Sequence, residues 1–140
     1  MFRKILLAFD GSEGAKRALE TGLELVRLHG AELWALAVEE RLPRFSATID
    51  EAKEEKEFAN RYYGQLLEAA AARALEAGVE LKTLLKPGHP AQTIVQVAQE
   101  GQFDLILVGH TGLSGVWAKF LGTTAEKVSR HAPCSVLIVR

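Results

Sequence analysis

The chain has 140 residues, of which 48% are hydrophobic and 25% charged, and its formal net charge is -1. This length and composition predict a single globular domain over residues 1–140, and the near-zero charge argues against nucleic acid as the main partner. The lone Cys134 excludes an internal disulfide, no apolar run approaches the roughly 18 residues of a transmembrane helix, and no signal peptide pattern is present, so we expect a cytoplasmic protein without a membrane anchor.

Five short apolar segments alternate with four helical patterns along the chain. The predicted strands cover residues 5–9, 33–38, 79–85, 103–108 and 135–139. The predicted helices run from Ser12 to Gly30, over residues 50–77, from Pro90 to Gly101, and over residues 123–131. Most of these strands are apolar throughout, which is typical of a parallel sheet covered by helices on both faces. Residues 79–85 alternate polar and apolar side chains, which predicts an edge strand.

Ligands of parallel α/β sheets bind outside the carboxyl ends of the strands, at the point where the strand order reverses. Three segments follow predicted strands at that edge: Asp10-Gly11-Ser12, Val38-Glu39-Glu40 and residues 109–122. Residues 39–49 carry charges, Pro43 and Phe45 without a regular pattern. They are expected to form a surface loop that is partly mobile or lies over a site.

The glycine-rich segment after the fourth predicted strand is the strongest functional signal. Gly109 can turn the chain off the strand, and Gly112 can let the main chain approach a ligand. Gly122, Thr123 and Thr124 stand at the start of the last predicted helix, where unpaired N–H groups, hydroxyls and the helix dipole favour an anion. The arrangement predicts a cradle for a nucleotide phosphate.

Other familiar site motifs are missing from the sequence. It contains no Walker loop, no Gly-x-Gly-x-x-Gly after the first strand and no Gly-x-Ser-x-Gly nucleophile elbow. The four histidines show no metal-ligand spacing, and of them His110 alone falls in the candidate site. Cys134 beside Pro133 is typical of plain packing rather than of a nucleophile. The remaining alternative is that the glycines only permit a tight surface loop.

With these residues in view, the chain resembles the universal stress protein family, whose ATP-binding members carry Gly-x2-Gly-x9-Gly-(Ser/Thr). Here the motif is Gly109-x2-Gly112-x9-Gly122-Thr123. The similarity extends to Ile5-Leu6-Leu7-Ala8-Phe9-Asp10-Gly11-Ser12 near the start and to His131-Ala132-Pro133-Cys134-Ser135-Val136-Leu137-Ile138-Val139 at the end. It therefore covers essentially the whole chain.

The resemblance implies an α/β fold whose five-stranded parallel sheet has the order 3-2-1-4-5, with helices on both faces in a Rossmann-like arrangement. It also implies bound ATP, with or without Mg²⁺ or Mn²⁺, over the first and fourth strands. Carried over position by position, the family's nucleotide-binding residues correspond to Ala8, Phe9, Asp10, Val38, Val108, Gly109, His110, Gly112, Gly122, Thr123 and Thr124. No catalytic residue is implied.

The function expected from the resemblance is that of an ATP-binding regulatory protein of the stress response, in which occupancy sets conformation or partner choice. A slow ATP hydrolase and a nucleotide-free dimeric adaptor remain open as alternatives. The last strand, Ser135–Val139, is apolar and uncharged. An apolar edge strand left exposed to water favours aggregation, so it has to pair with another strand. Family members commonly dimerise through this strand, and a homodimer is therefore expected.

Overall fold

The computed structural model describes residues 1–40, 48–111 and 121–140. Strands and helices alternate along the chain, as predicted. The elements are β1 (Lys4–Ala8), α1 (Glu13–His29), β2 (Glu32–Glu39), α2 (Ile49–Glu76), β3 (Leu81–Pro87), α3 (Pro90–Glu100), β4 (Leu105–Gly109), α4 (Thr123–His131) and β5 (Ser135–Val139).

The five strands form one sheet in the order β3-β2-β1-β4-β5, and all four neighbouring pairs are parallel. The predicted order 3-2-1-4-5 is confirmed, and β3 lies at an edge. β1 is central: Ile5 pairs with Leu33 of β2 on one side and with Leu105 of β4 on the other. The strand order reverses between β1 and β4, so the switch point lies at their carboxyl ends.

Two helices cover each face of the sheet, and each pair closes its own core. On one face, strand residues such as Ile5 and Leu7 pack with Leu19 of α1 and Leu67 of α2. Alternate residues point to the other face, where Leu6 and Ile106 pack with Ile94 of α3 and Val128 of α4. The three inner strands, β1, β2 and β4, are therefore largely buried on both faces, which explains their continuous apolar sequences. Across the described ranges, no helix is long and apolar enough to cross a membrane.

The helix starts follow from local chemistry. The side chain of Ser12 accepts a hydrogen bond from the N–H of Ala15 at 3.1 Å, so Ser12 is the predicted N-cap of α1. Thr48 and Glu51 form a capping box at the start of α2. Pro90 opens α3, as predicted from its missing N–H group.

Several boundaries differ from the sequence prediction. β4 runs from Leu105 to Gly109 rather than over residues 103–108, because the N–H of Phe103 bonds to the carbonyl of Ala98 in α3. β3 begins at Leu81 rather than at residue 79, because the N–H of Val79 bonds to the carbonyl of Ala74 and closes α2. The expected loop over residues 39–49 is shorter at both ends, since Glu39 pairs with Pro87 in the sheet and Ile49 begins α2. Residues 41–47, which make up most of that expected loop, lie outside the described part of the chain.

Candidate functional site

A cavity of about 340 Å³ opens at the carboxyl edge of the sheet, over the switch point between β1 and β4. Its volume lies in the usual range of small-molecule sites, roughly 300–1,000 Å³. The β1–α1 turn, the ends of β2 and β4, and the starts of α3 and α4 all contribute to its wall. The lining residues are Ala8, Phe9, Asp10, Ser12, Ala15, Leu36, Val38, Glu40, Tyr63, Pro90, Ile94, Val108, Gly109, Thr111, Gly122, Thr123, Thr124 and Ala125.

The β1–α1 turn forms one side of the cavity and is held by its own side chains. Asp10 Oδ1 accepts a hydrogen bond from the N–H of Ser12 at 2.9 Å, and Ser12 in turn caps α1. Gly11 between them has φ 81°, a conformation that side-chain-bearing residues rarely adopt. Asp10 is therefore a structural residue of the turn as well as a charged group on the cavity wall.

The start of α4 forms the opposite side. Gly122 is the N-cap in an extended conformation, with φ -62° and ψ 151°, and it has no side-chain cap hydrogen bond. The N–H of Glu126 makes the first helical bond to the Gly122 carbonyl. The N–H groups of Thr123, Thr124 and Ala125 precede that bond, so they have no acceptor within the helix. They add to the positive end of the helix dipole, which favours an anion here.

Main-chain hydrogen bonds tie this helix start to the sheet. The N–H of Gly122 donates to the carbonyl of His110 at 2.7 Å, and the N–H of His110 donates to the carbonyl of Val139 at 2.7 Å. Residue 110 therefore connects the exit of β4, the end of β5 and the N-cap of α4. The side chain of His110 lies 3.4 Å, ring Nε2 to guanidinium nitrogen, from Arg140 on the exposed surface.

The remaining wall is largely apolar and suits a flat ring. Leu36 and Val38 of β2 line this part of the cavity together with Pro90 and Ile94 of α3. Tyr63 of α2 adds a phenol, and burial, with a smaller contribution from Tyr62, raises its pKa. A phenol is protonated at neutral pH even without this shift, so Tyr63 adds a hydrogen-bonding group to the apolar wall.

The structure places most of the sequence-predicted site residues together. Ala8, Phe9, Asp10, Val38, Val108, Gly109, Gly122, Thr123 and Thr124 all line the cavity. His110 does not line it; its main chain supports Gly122, and its side chain faces Arg140 instead. Gly112, the second glycine of the motif, lies outside the described residues.

Several cavity residues did not follow from the sequence. Tyr63, Pro90 and Ile94 come from helices, and their place at the cavity depends on how α2 and α3 are rotated against the sheet. Tyr63 could have been proposed as a site residue from the sequence, because it is a polar aromatic residue on the inward face of a predicted helix. Thr111 and Glu40 lie in the segments 109–122 and 38–40, which the sequence placed at the carboxyl edge of the sheet without assigning these two residues to the site.

The charge of the cavity wall is negative. Among its lining residues in the described part of the chain, the charged side chains are Asp10 and Glu40, and no Lys, Arg or His contributes. The same part of the chain contains no group of three His, Cys, Asp or Glu residues that could hold a metal ion. Within the described part of the wall, an anionic ligand would therefore meet main-chain N–H groups and hydroxyls rather than side-chain cations.

Comparisons with known proteins identify the family of the chain and its fold. A family model described as "Universal stress protein family" matches residues 1–140. The chain is 38% identical over 140 residues to the "Universal stress protein in QAH/OAS sulfhydrylase 3'region" of Thermus aquaticus, with 100% of both chains covered. Universal stress protein UspA from Lactobacillus plantarum superposes with a TM-score of 0.88 at 27% identity, covering 99% of this chain and 98% of that one. A universal stress protein in complex with cAMP superposes with a TM-score of 0.75 at 26% identity, covering 99% and 97%. The chain belongs to the universal stress protein family.

Proposed function

We propose that this protein binds ATP in the cavity between β1 and β4 and acts as a nucleotide-dependent regulatory protein of the stress response. The observation that carries the proposal is the uncapped start of α4 on the cavity wall, where Thr123 and Thr124 offer N–H groups and hydroxyls to a phosphate. The cAMP-bound relative supports an adenine nucleotide as the ligand class.

The two ends of the cavity suggest how ATP would lie in it. The apolar wall of Leu36, Val38 and Ile94 suits the adenine ring, and the α4 start suits the phosphates. Asp10 and Glu40 would face a polyanion unfavourably, so a divalent cation on the phosphate oxygens should strengthen binding. With few acidic residues at hand in the described part of the chain, the phosphates themselves would supply most ligands of that cation.

We propose binding rather than rapid turnover as the activity. Phosphoryl transfer needs neutralisation of the developing charge, commonly by Lys, Arg or a protein-held metal ion. The described cavity wall contributes no such cation. Regulation then requires that ATP bind one conformation or assembly more tightly than another.

Titration calorimetry with ATP, ADP, AMP, cAMP, GTP and adenosine tests the proposal, each with and without Mg²⁺ or Mn²⁺. We expect adenine nucleotides to bind more tightly than GTP, and ATP to bind more tightly with a divalent cation. Absence of heat with every adenine nucleotide, and no adenine absorbance in the purified protein, would reject the proposal. Product formation over hours in the same samples measures any hydrolysis.

Asp10 can be tested without disturbing the turn that it holds. Asp10→Asn keeps an oxygen for the N–H of Ser12 but removes the charge, whereas Asp10→Ala removes both. If the Asp10 carboxylate accepts hydrogen bonds from the adenosine part of the ligand, both variants should lose affinity for adenosine as well as for ATP. If its charge only repels the phosphates, Asn should bind ATP more tightly in the absence of a divalent cation. If it acts only by shaping the turn, Asn should bind ATP as the unmodified protein does, and Ala should lose about 1 kcal/mol of unfolding free energy. Calorimetry and urea denaturation of the two variants separate these outcomes.

A further inference from the structure

The first turn of α1 meets the exit of β4 through two glycines. A Cβ built on Gly14 overlaps the main-chain oxygen of Thr111, and a Cβ built on Gly109 lies 2.7 Å from the carbonyl carbon of Gly14. Contacts under 3.0 Å are essentially never seen for real Cβ atoms, and both obstacles are main chain. A main-chain atom cannot rotate away as a side chain can. Any larger residue at either position therefore has to push α1 and the β4 exit apart.

This contact gives Gly109 a role besides ligand approach. The position where its side chain would stand points at Gly14 of α1, so the missing Cβ serves helix packing. Gly109 and Thr111 also line the cavity, as do Ser12 and Ala15 on either side of Gly14. The distance between α1 and the β4 exit thus sets the spacing between two parts of the cavity wall.

A displacement of the β4 exit would be transmitted to the start of α4, where we propose that the phosphates bind. Thr111 follows His110, and the carbonyl of His110 accepts the 2.7 Å hydrogen bond from the N–H of Gly122. Gly122 is the N-cap whose following N–H groups are free of helical acceptors. The apolar wall of Leu36 and Ile94 comes from β2 and α3, and the three atoms nearest to a Cβ on Gly14 belong to Thr111 and Gly109 instead.

We propose that Gly14 is a positioning residue for nucleotide phosphates. By resting α1 on the main chain of Gly109 and Thr111, it fixes the β4 exit, and through His110 and Gly122 it fixes the N–H groups at the start of α4. This inference rests on the proposed nucleotide function and adds to it the prediction that Gly14 affects phosphate recognition and not recognition of the adenosine part.

Gly14→Ala, with Gly22→Ala as a matched control, tests the proposal. Both glycines lie in α1, so alanine favours the helix at each position, more strongly in the interior at Gly22 than in the first turn at Gly14. A Cβ on Gly22 meets side-chain atoms of Leu107 at 3.0 Å and of Leu33 at 3.4 Å, far along the helix from the cavity. Titrations with ATP and with adenosine give an affinity ratio for each variant. A general loss of stability would leave that ratio unchanged.

We expect Gly14→Ala to weaken ATP binding about tenfold or more while adenosine binding changes less than about twofold. Gly22→Ala should keep the ratio of the unmodified protein. A folded Gly14→Ala variant with an unchanged ratio would overturn the proposal. Failure of the unmodified protein to bind ATP would instead reject the proposed function, and the role of Gly14 with it.

Hydrogen exchange on the unmodified protein covers the case in which Gly14→Ala does not fold. ATP should slow the exchange of amides 14–18 in the first turns of α1 more than saturating adenosine does, because only ATP engages the connected phosphate end. Equal protection by the two ligands would overturn the proposal.

Discussion

At the scale of a single residue, a substitution at Gly122 should affect ATP binding much more than folding. Its φ of -62° and ψ of 151° are open to any amino acid, so valine meets no backbone strain there. A valine side chain would nevertheless stand at the cavity wall, beside Thr123 and Thr124. We expect Gly122→Val to weaken ATP binding by at least about tenfold and to cost about 1 kcal/mol of unfolding free energy through the poorer N-cap.

Ser129→Val is the matched control, since it places the same side chain on the exposed surface of α4. Calorimetry and urea denaturation of both variants provide the comparison. Gly122→Val with unchanged ATP affinity would show that the start of α4 does not hold the phosphates.

The part of the site that the sequence predicted consists of residues at the ends of strands and residues of the family's glycine pattern. Asp10 comes after β1, Gly109 ends β4, and Gly122 belongs to a recognisable glycine pattern. Tyr63 and Ile94 escaped prediction, because a helical pattern gives the inward face of a helix but not its position along the sheet. Gly14 reads as an ordinary helical residue, and only its contact with the main chain of Thr111 distinguishes it.

At the scale of elements, Lys4 connects neighbouring elements at the amino end of the sheet, which is the end opposite the cavity. Its ammonium group donates to the carbonyl of Gly101 at 2.7 Å and lies 4.6 Å from the ring centre of Phe103 and 5.6 Å from that of Trp34. The contacts join β1 to the α3–β4 turn and to β2. Lys4→Met should lower the unfolding free energy by about 1–2 kcal/mol without altering ATP affinity.

Lys16→Met is the control for Lys4→Met, because Lys16 is an exposed lysine whose ion pair with Glu13 is 3.5 Å long. It should change the unfolding free energy by less than about 0.5 kcal/mol in the same urea titrations. Equal stability of the two variants would show that the aromatic and carbonyl contacts of Lys4 contribute nothing measurable.

The pair of Glu20 in α1 and Arg73 in α2 gives a pH-dependent contact between elements. The hydrogen bond from Arg73 lowers the pKa of Glu20, against a smaller opposing effect of burial. The carboxylate therefore stabilises the fold above its unfolded pKa of about 4.5, and the stabilisation is lost as pH falls through the lower folded value.

Glu20→Gln should then cost less than about 1 kcal/mol at pH 7, since both side chains are about half exposed and screened by water. The difference from the unmodified protein should shrink between pH 7 and pH 3, because protonation of Glu20 removes the ionic part of its contact with Arg73. Urea denaturation at both pH values measures it. A difference that persists unchanged at pH 3 would contradict an electrostatic origin.

The boundary of a helix can be predicted from the sequence where a residue with a specific backbone role, such as an N-cap serine, stands at that boundary. Ser12, Gly30 and Pro90 end or begin helices as predicted, because each has a specific backbone role. The start of β3 could not be predicted in this way, since the return bond from Val79 to Ala74 is a main-chain contact that any residue can make. The sheet order came from the family resemblance, because five alternating strands alone permit several orders.

At the scale of the whole molecule, the two edges of the sheet differ in chemistry. β3 presents Lys82, Lys86 and the donor-free Pro87, and such residues discourage pairing with another strand. β5 carries no charge from Ser135 to Val139, and Leu137 is 39% exposed. Its outer edge is therefore the better candidate for covering by a second copy of the chain. We propose a homodimer in which the two β5 strands meet across a twofold axis.

Leu137→Asp tests that assembly. A charge on each β5 would face its symmetry mate across the twofold axis and would have to leave water, so the dimer should dissociate to monomers or precipitate. Light scattering of the unmodified protein should give twice the mass of the chain, which is 15.3 kDa. Lys82→Asp on β3 is the matched control at the opposite edge and should leave the dimer intact. If Leu137→Asp stays dimeric while Lys82→Asp dissociates, the chain assembles through β3, and the apolar surface of β5 is covered in some other way.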